Sequence, residues 1–188
     1  PVPDTPETEP TTLAIVGAGT VVGTASNREE FTQVLLAGKS LVDSDNARTQ
    51  ALGLALEGLR FPPKDLESAL PQQLALLQAA REAVAQTGPL PNERTGVFVG
   101  MEPDVEVCRY GLRWRQAQRL REQGQDPASH ADWLRRATEA IVPTLTSAGV
   151  VGTMPNIPAN RLNSQFDIGG ASISISAGEN SGQQGLDL

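Results

Sequence analysis

Residues 150–181 read VVGTMPNIPANRLNSQFDIGGASISISAGENS, a helix-like segment, a turn, a strand-like alternation and a small-residue corner in succession. Pro158 to Ser164 has the make-up of a short helix, and Asp167-Ile168-Gly169-Gly170 that of a turn. Ser172-Ile173-Ser174-Ile175 alternates small polar with β-branched apolar residues, which predicts a strand, and it runs into a corner of small residues, Ser176-Ala177-Gly178. A residue that follows a strand and a tight turn at a helix start has its side chain presented and its backbone N–H unpaired. That arrangement displays a nucleophile beside an oxyanion site. Glu179 occupies the position here.

Working outward, Thr95-Gly96-Val97-Phe98-Val99-Gly100 predicts a second strand, with Met101-Glu102-Pro103-Asp104 at its end, where doubly wound sheets form sites. Leu74, Leu77, Ala80 and Val84, flanked by Leu76, Ala79 and Ala83, give a helical apolar face that starts after Pro71 and ends at Thr87-Gly88-Pro89. Thr12 to Val16 reads as a buried strand, and Ser26-Asn27-Arg28-Glu29-Glu30 as a capped helix start. The expected fold is α/β: strands at 12–16, 95–99 and 171–176 in one sheet, covered by helices at 27–38 and 71–87. Two further helices are expected over Val105 to Gln123 and Ala128 to Ile141; the stripe His130, Trp133, Leu134, Ala137, Ile141 makes the sole histidine a packed or half-buried core residue rather than a catalytic one. From Leu41 to Arg60 no pattern emerges.

Several function classes are excluded. A net charge of −7 argues against nucleic acid, and no apolar run approaches the about eighteen residues of a membrane span, which points to a cytoplasmic protein. The lone cysteine, Cys108, permits no internal disulfide, and one Cys with one His builds no zinc site. Arg109, Arg113, Arg115, Arg119 and Arg121, with Arg135 and Arg136, form either a solvated helix face or a surface for an acidic partner. Gly17-Ala18-Gly19-Thr20-Val21-Val22-Gly23 leaves open a nucleotide-binding, Rossmann-like module, although the helix start lies several residues beyond the glycines.

Three blocks together resemble the ketosynthase (β-ketoacyl synthase, thiolase-fold) family. They are residues 13–40, residues 61–100 with Leu70-Pro71-Gln72-Gln73 and Gly96-Val97-Phe98-Val99-Gly100, and residues 150–188. In the last block Ala159-Asn160-Arg161-Leu162, Phe166-Asp167-Ile168-Gly169-Gly170-Ala171-Ser172 and Ser176-Ala177-Gly178-Glu179-Asn180-Ser181 follow the family pattern without a gap. The resemblance implies a thiolase-like mixed sheet covered by helices, incomplete because only the first half of a ketosynthase fold is spanned. Residues 12–188 are then the N-terminal part of a ketosynthase-like domain, and residues 1–11, rich in Pro and acid, an interdomain linker.

The resemblance also places Glu179 where the family has its catalytic cysteine, and it makes Met101, Met154, Asn156 and Gly178 candidates for the substrate pocket. A carboxylate cannot serve as the thioester acceptor that a condensing enzyme requires. The implied function is a noncatalytic domain, chain-length-factor-like or scaffolding, in a polyketide or polyunsaturated or secondary fatty acid synthase. A malonyl-carrier decarboxylase using Glu179 is the alternative. The implied partners are a second copy or a ketosynthase domain in a dimer or pseudo-dimer, an acyl carrier protein, and other domains of a multidomain synthase. No cofactor or metal is expected to be bound, and the phosphopantetheine of the carrier protein would be the delivery group.

Overall fold

The computed structural model describes residues 13–41, 49 and 52–188. The proposed linker therefore lies outside the described residues. In chain order the elements are α1 (Arg28–Leu36), α2 (Pro63–Glu67), α3 (Pro71–Val84), β1 (Val97–Gly100), α4 (Val107–Glu122), α5 (Ala131–Ile141), α6 (Ser147–Thr153), α7 (Ile157–Phe166), β2 (Ser172–Ile175) and α8 (Ser181–Asp187). The expected α/β class is present. Among the described residues the sheet has two strands, β1 and β2, paired in parallel with Val97 opposite Ser172 and Gly100 opposite Ile175.

A parallel pair needs a crossover, and residues 101–171 supply one made wholly of helices. Val97 and Val99 point inward and are 8 % and 3 % exposed. With Leu66, Leu77, Ala159 and Leu162 they form the core, so β1 packs on α7, and α2 and α3 close behind it. Leu77 is fully buried, and Leu74, Leu76 and Ala80 pack at the core's edge, as the apolar face of α3 predicts. The opposite face of the sheet, with Phe98 and Ile175, lies under α8 near Gly185. Because successive strand residues alternate faces, β2 turns its serines toward α7 and its isoleucines toward α8. Phe98 and Ile173 stay 41 % exposed there.

Two expectations are corrected. Leu13 to Val16 form no strand, and Ile15 is 93 % exposed. A short strand needs a neighbour for its backbone, and no described strand offers one. The segment is instead tied down by its glycines: a Cβ at Gly17 or Gly19 would run into the carbonyls of Ala83 and Ala79 on α3. The covering layer also differs, since α7 and α8 flank the sheet while α1 buries no residue.

The start of α1 does follow its sequence. Asn27 Oδ1 accepts from the Glu30 N–H at 2.9 Å, and the Glu30 carboxylate reaches back to the Ser26 N–H at 2.8 Å. At the other end of the chain, α7 stops where Asp167 takes a left-handed conformation, φ 57°, and the Ile168 N–H returns to the Asn163 carbonyl. The glycine-rich segment 17–23 does not open into a helix. Three of its amides have acceptors among the described residues: Thr20 N–H donates to Glu82 at 3.0 Å, Ala18 N–H to Gln86 at 3.4 Å and Val22 N–H to the Ala25 carbonyl at 2.9 Å, so these are not held out for a phosphate.

The arginine-rich helices α4 and α5 pack on each other. Arg113 donates to the Val142 carbonyl and the Thr144 hydroxyl, while Trp114 and Trp133 face solvent, 68 % and 48 % exposed. The expected stripe is the inward side of α5: His130, Leu134, Ala137 and Ile141 are half-buried, while Trp133 is exposed. His130 stands at the N-terminus of α5, its Nδ1 3.0 Å from the Asp126 carbonyl. The Asp126 carboxylate accepts from the Ala128 and Ser129 N–H groups in the same turn, so the residues before α5 are organised by a capping acid.

Candidate functional site

The end of the sheet and the corner after β2 form the candidate site. Both strands terminate together: the Met101 N–H extends the ladder by donating to the Ile175 carbonyl at 2.9 Å. This brings the residues after β1 beside those after β2. Gly178 then turns the chain with φ 61°, a left-handed conformation that a side chain would strain, and α8 begins three residues later. Gly100 makes this closeness possible. A Cβ there would lie 2.6 Å from Ser181 C, Ser181 O and Gly182 N.

The corner is held by Glu102. Its Oε1 accepts from the Ser176 hydroxyl at 2.8 Å and from the Gly178 N–H at 2.6 Å. Ser181 ties the corner from the other side: it is 4 % exposed, its hydroxyl accepts from the Ala177 N–H at 2.9 Å and donates to the Gly178 carbonyl at 2.7 Å. A hydroxyl has one proton, so the longer Ser181 contact to Glu102, 3.3 Å, competes with that donation. The Ser176 hydroxyl, followed by the Gly178 amide, holds the Glu102 carboxyl below its ordinary range.

Among the residues expected at the site, Gly178, Glu179 and Met101 are brought to this end of the sheet. Glu179 is exposed, two residues before α8. Met101 is half-buried and packs on the core. Met154 and Asn156 lie in the turn between α6 and α7: the Met154 carbonyl accepts from the Ile157 N–H, and Asn156 precedes α7 without a side-chain cap. No hydrogen bond among the described residues joins either to Glu179. Gln73 fixes that turn from α3, donating to the Gly152 carbonyl at 2.8 Å.

Glu102 is the residue that the sequence reading placed only as part of a strand end. The signal was there, an acid two residues after an apolar strand. What it lacked was the pairing of β1 with β2, which brings residues 102 and 178 together across 76 positions. No group of three or more His, Cys, Asp or Glu residues could hold a metal among the described residues, and none of the described helices is long and apolar enough to cross a membrane.

Comparison with known proteins agrees with these elements. The model of the beta-ketoacyl synthase N-terminal domain family matches residues 56–188, which includes both strands, the crossover and the corner. A polyunsaturated fatty acid synthase subunit from Thraustochytrium sp. is 30 % identical over 123 residues, which cover 65 % of this chain. The chain spans 6 % of that protein's length. The family match runs over more than half of the chain, and the chain belongs to the beta-ketoacyl synthase N-terminal domain family.

Proposed function

We propose that the chain is a noncatalytic ketosynthase-like domain, chain-length-factor-like or scaffolding, of a synthase that makes polyketides or polyunsaturated or secondary fatty acids. The observation that carries this reading is Glu179, an exposed carboxylate at the corner after β2, the position the resemblance gives to the nucleophilic cysteine. Condensation begins with acyl transfer to a thiolate. A carboxylate attacking a thioester would give an anhydride that water cleaves, so no acyl group would be stored for a second substrate.

The neighbourhood supports the same reading. The one histidine of the sequence, His130, stands with its Nδ1 3.0 Å from the Asp126 carbonyl, and no hydrogen bond among the described residues joins it to the corner. Glu102 adds a second negative charge where a malonyl carboxylate would approach. Decarboxylation, the alternative, calls for a neutral, glutamine-like acid of the kind that burial produces, and Glu179 is exposed.

In this reading the domain is cytoplasmic and binds no cofactor of its own. It pairs with a second copy or with an active ketosynthase domain, beside an acyl carrier protein whose phosphopantetheine delivers the chain and other domains of the synthase. Met101 and Gly178, with Met154 and Asn156, would border the acyl path. The test is intact-mass analysis after incubation with malonyl and longer acyl thioesters, with released carbon dioxide measured in parallel. No adduct and no release are expected. An acyl adduct mapped to Glu179 would overturn the reading, and carbon dioxide release that is lost in Glu179→Ala would replace it with decarboxylation.

A further inference from the structure

Arg161, in the Asn-Arg-Leu helix, takes no part in the corner. It points from α7 into the protein, is 5 % exposed, and its guanidinium carbon stands 4.8 Å from the centroid of the Phe61 ring. Its Nε is buried and has no acceptor. The ion pairs found among the described residues belong to Arg60, Arg109, Arg135 and Arg136, and none involves Arg161. A buried guanidinium carries five N–H donors and a charge, and leaving it unpaired is costly. Burial pushes its pKa down, and Asp65 on α2 opposes this from beyond ion-pair distance.

Arg161 also lines an open cleft of about 190 Å³ between α2, α6 and α7. Phe61, Val151 and Ile157 give the cleft apolar walls, and Asn160 and Ser164 are polar residues on its lining. The Asn160 carbonyl oxygen is taken by the Ser172 hydroxyl at 3.1 Å, which leaves its amide protons to be donated. The volume corresponds to about six water molecules at about 30 Å³ each. That is room for a group of a few carbons and excludes a nucleotide.

We propose that this cleft is a binding site for a monocarboxylate, whose two oxygens are read by the Arg161 guanidinium while its methylenes lie along Phe61, Val151 and Ile157. The planar fork matches a carboxylate in a way no other cation does. Asp65, also on the lining, sets the charge selectivity: it repels a dianion such as phosphate more strongly than a monoanion. The carboxylate comes either from a free short-chain acid or from a glutamate side chain of a protein docked over α7. The cleft lies on another part of the chain from Glu179, and binding there is independent of the role given to that residue.

The experiment is thermal unfolding of the purified chain at constant ionic strength with sodium butyrate, with acetyl-Gly-Glu-Gly-amide, and with sodium phosphate. The expected result is a rise of about 4 °C at ten times the dissociation constant for butyrate, for the peptide or for both, with a smaller rise or none for phosphate. Butyrate alone identifies a free acid as the ligand, and the peptide alone identifies a partner's side chain. Arg161→Met should abolish the rise and should melt no lower than the wild type without ligand, because it removes an unpaired buried charge at similar volume. Asp65→Asn tests the site without touching the core and should tighten carboxylate binding by about three- to tenfold. The proposal is overturned if neither carboxylate shifts the wild type, if the shift survives in Arg161→Met, or if Asp65→Asn weakens binding.

Discussion

Replacing Gly100 by alanine places a methyl group 2.6 Å from three backbone atoms, Ser181 C, Ser181 O and Gly182 N, at the start of α8. Carbon atoms do not approach so closely, and none of the three can rotate away as a side-chain tip would. Either β1 or the start of α8 must move by several tenths of an ångström, and Ser181 moves with it. Overpacking of this kind costs about 1–3 kcal/mol. For a chain of 188 residues, at about 2–4 °C per kcal/mol, the melting temperature should fall by about 2–12 °C. Gly182→Ala is the matched control, because nothing lies within 4 Å of a Cβ there and alanine is the better helix former. Amide exchange should locate the effect, with faster exchange over residues 177–182 in Gly100→Ala only. Equal melting temperatures for the two variants, with unchanged exchange at the corner, would refute the idea that Gly100 sets the distance between β1 and α8.

Three further outcomes are expected. Because the folded pKa of Glu102 is lowered, its contribution is present above the ordinary glutamate value of 4.5 and is lost as pH falls through the lowered folded value; the Gly178 amide should still be protected at pH 4.5 and lose protection only at lower pH, and Glu102→Gln should remove that dependence. Leu77→Ala empties a fully buried site facing β1 and α7 and should lower stability by about 2–5 kcal/mol in denaturant unfolding, with no loss expected if the core lies elsewhere. Light scattering at micromolar concentration should give a mass above 19.9 kDa, and Ile173→Lys on the half-exposed face of β2 should return it to that value; a monomeric wild type would count against pairing through Ser172 to Ser176.

Much of the fold was legible because its strongest elements carry local signals. The apolar face of α3, the capping residues of α1 and the alternation in β2 each follow from periodicity or from a single backbone hydrogen bond. The segment before Gly17 misled because four apolar residues are as compatible with a glycine-anchored strap on α3 as with a strand; the difference lies in whether a neighbour exists, which a local pattern does not encode. The stripe of α5 was legible as a face and not as a depth: His130, Leu134, Ala137 and Ile141 are half-buried because α5 packs mainly on α4, and none of its residues is fully buried. Glu102 was hidden by sequence distance, and Arg161 by its place in a motif read for its likeness to a family and not for its missing counter-ion.

The proposed reading of position 179 also rests on Glu102, which occupies the donors of the corner. Transition-state stabilisation of an oxyanion requires donors that stand unpaired until the charge develops. At this corner the Gly178 N–H and the Ser176 hydroxyl already meet a carboxylate, and the Ala177 N–H meets Ser181. An incoming oxyanion would have to displace Glu102 from these donors and would then share the space with a negative charge a few ångströms away, which raises its energy. In the proposed reading, Glu179→Cys alone should therefore give at most slow acylation by acyl thioesters, because Glu102 and Ser181 still occupy these neighbouring donors; rapid formation of an acyl adduct in intact-mass analysis would refute this.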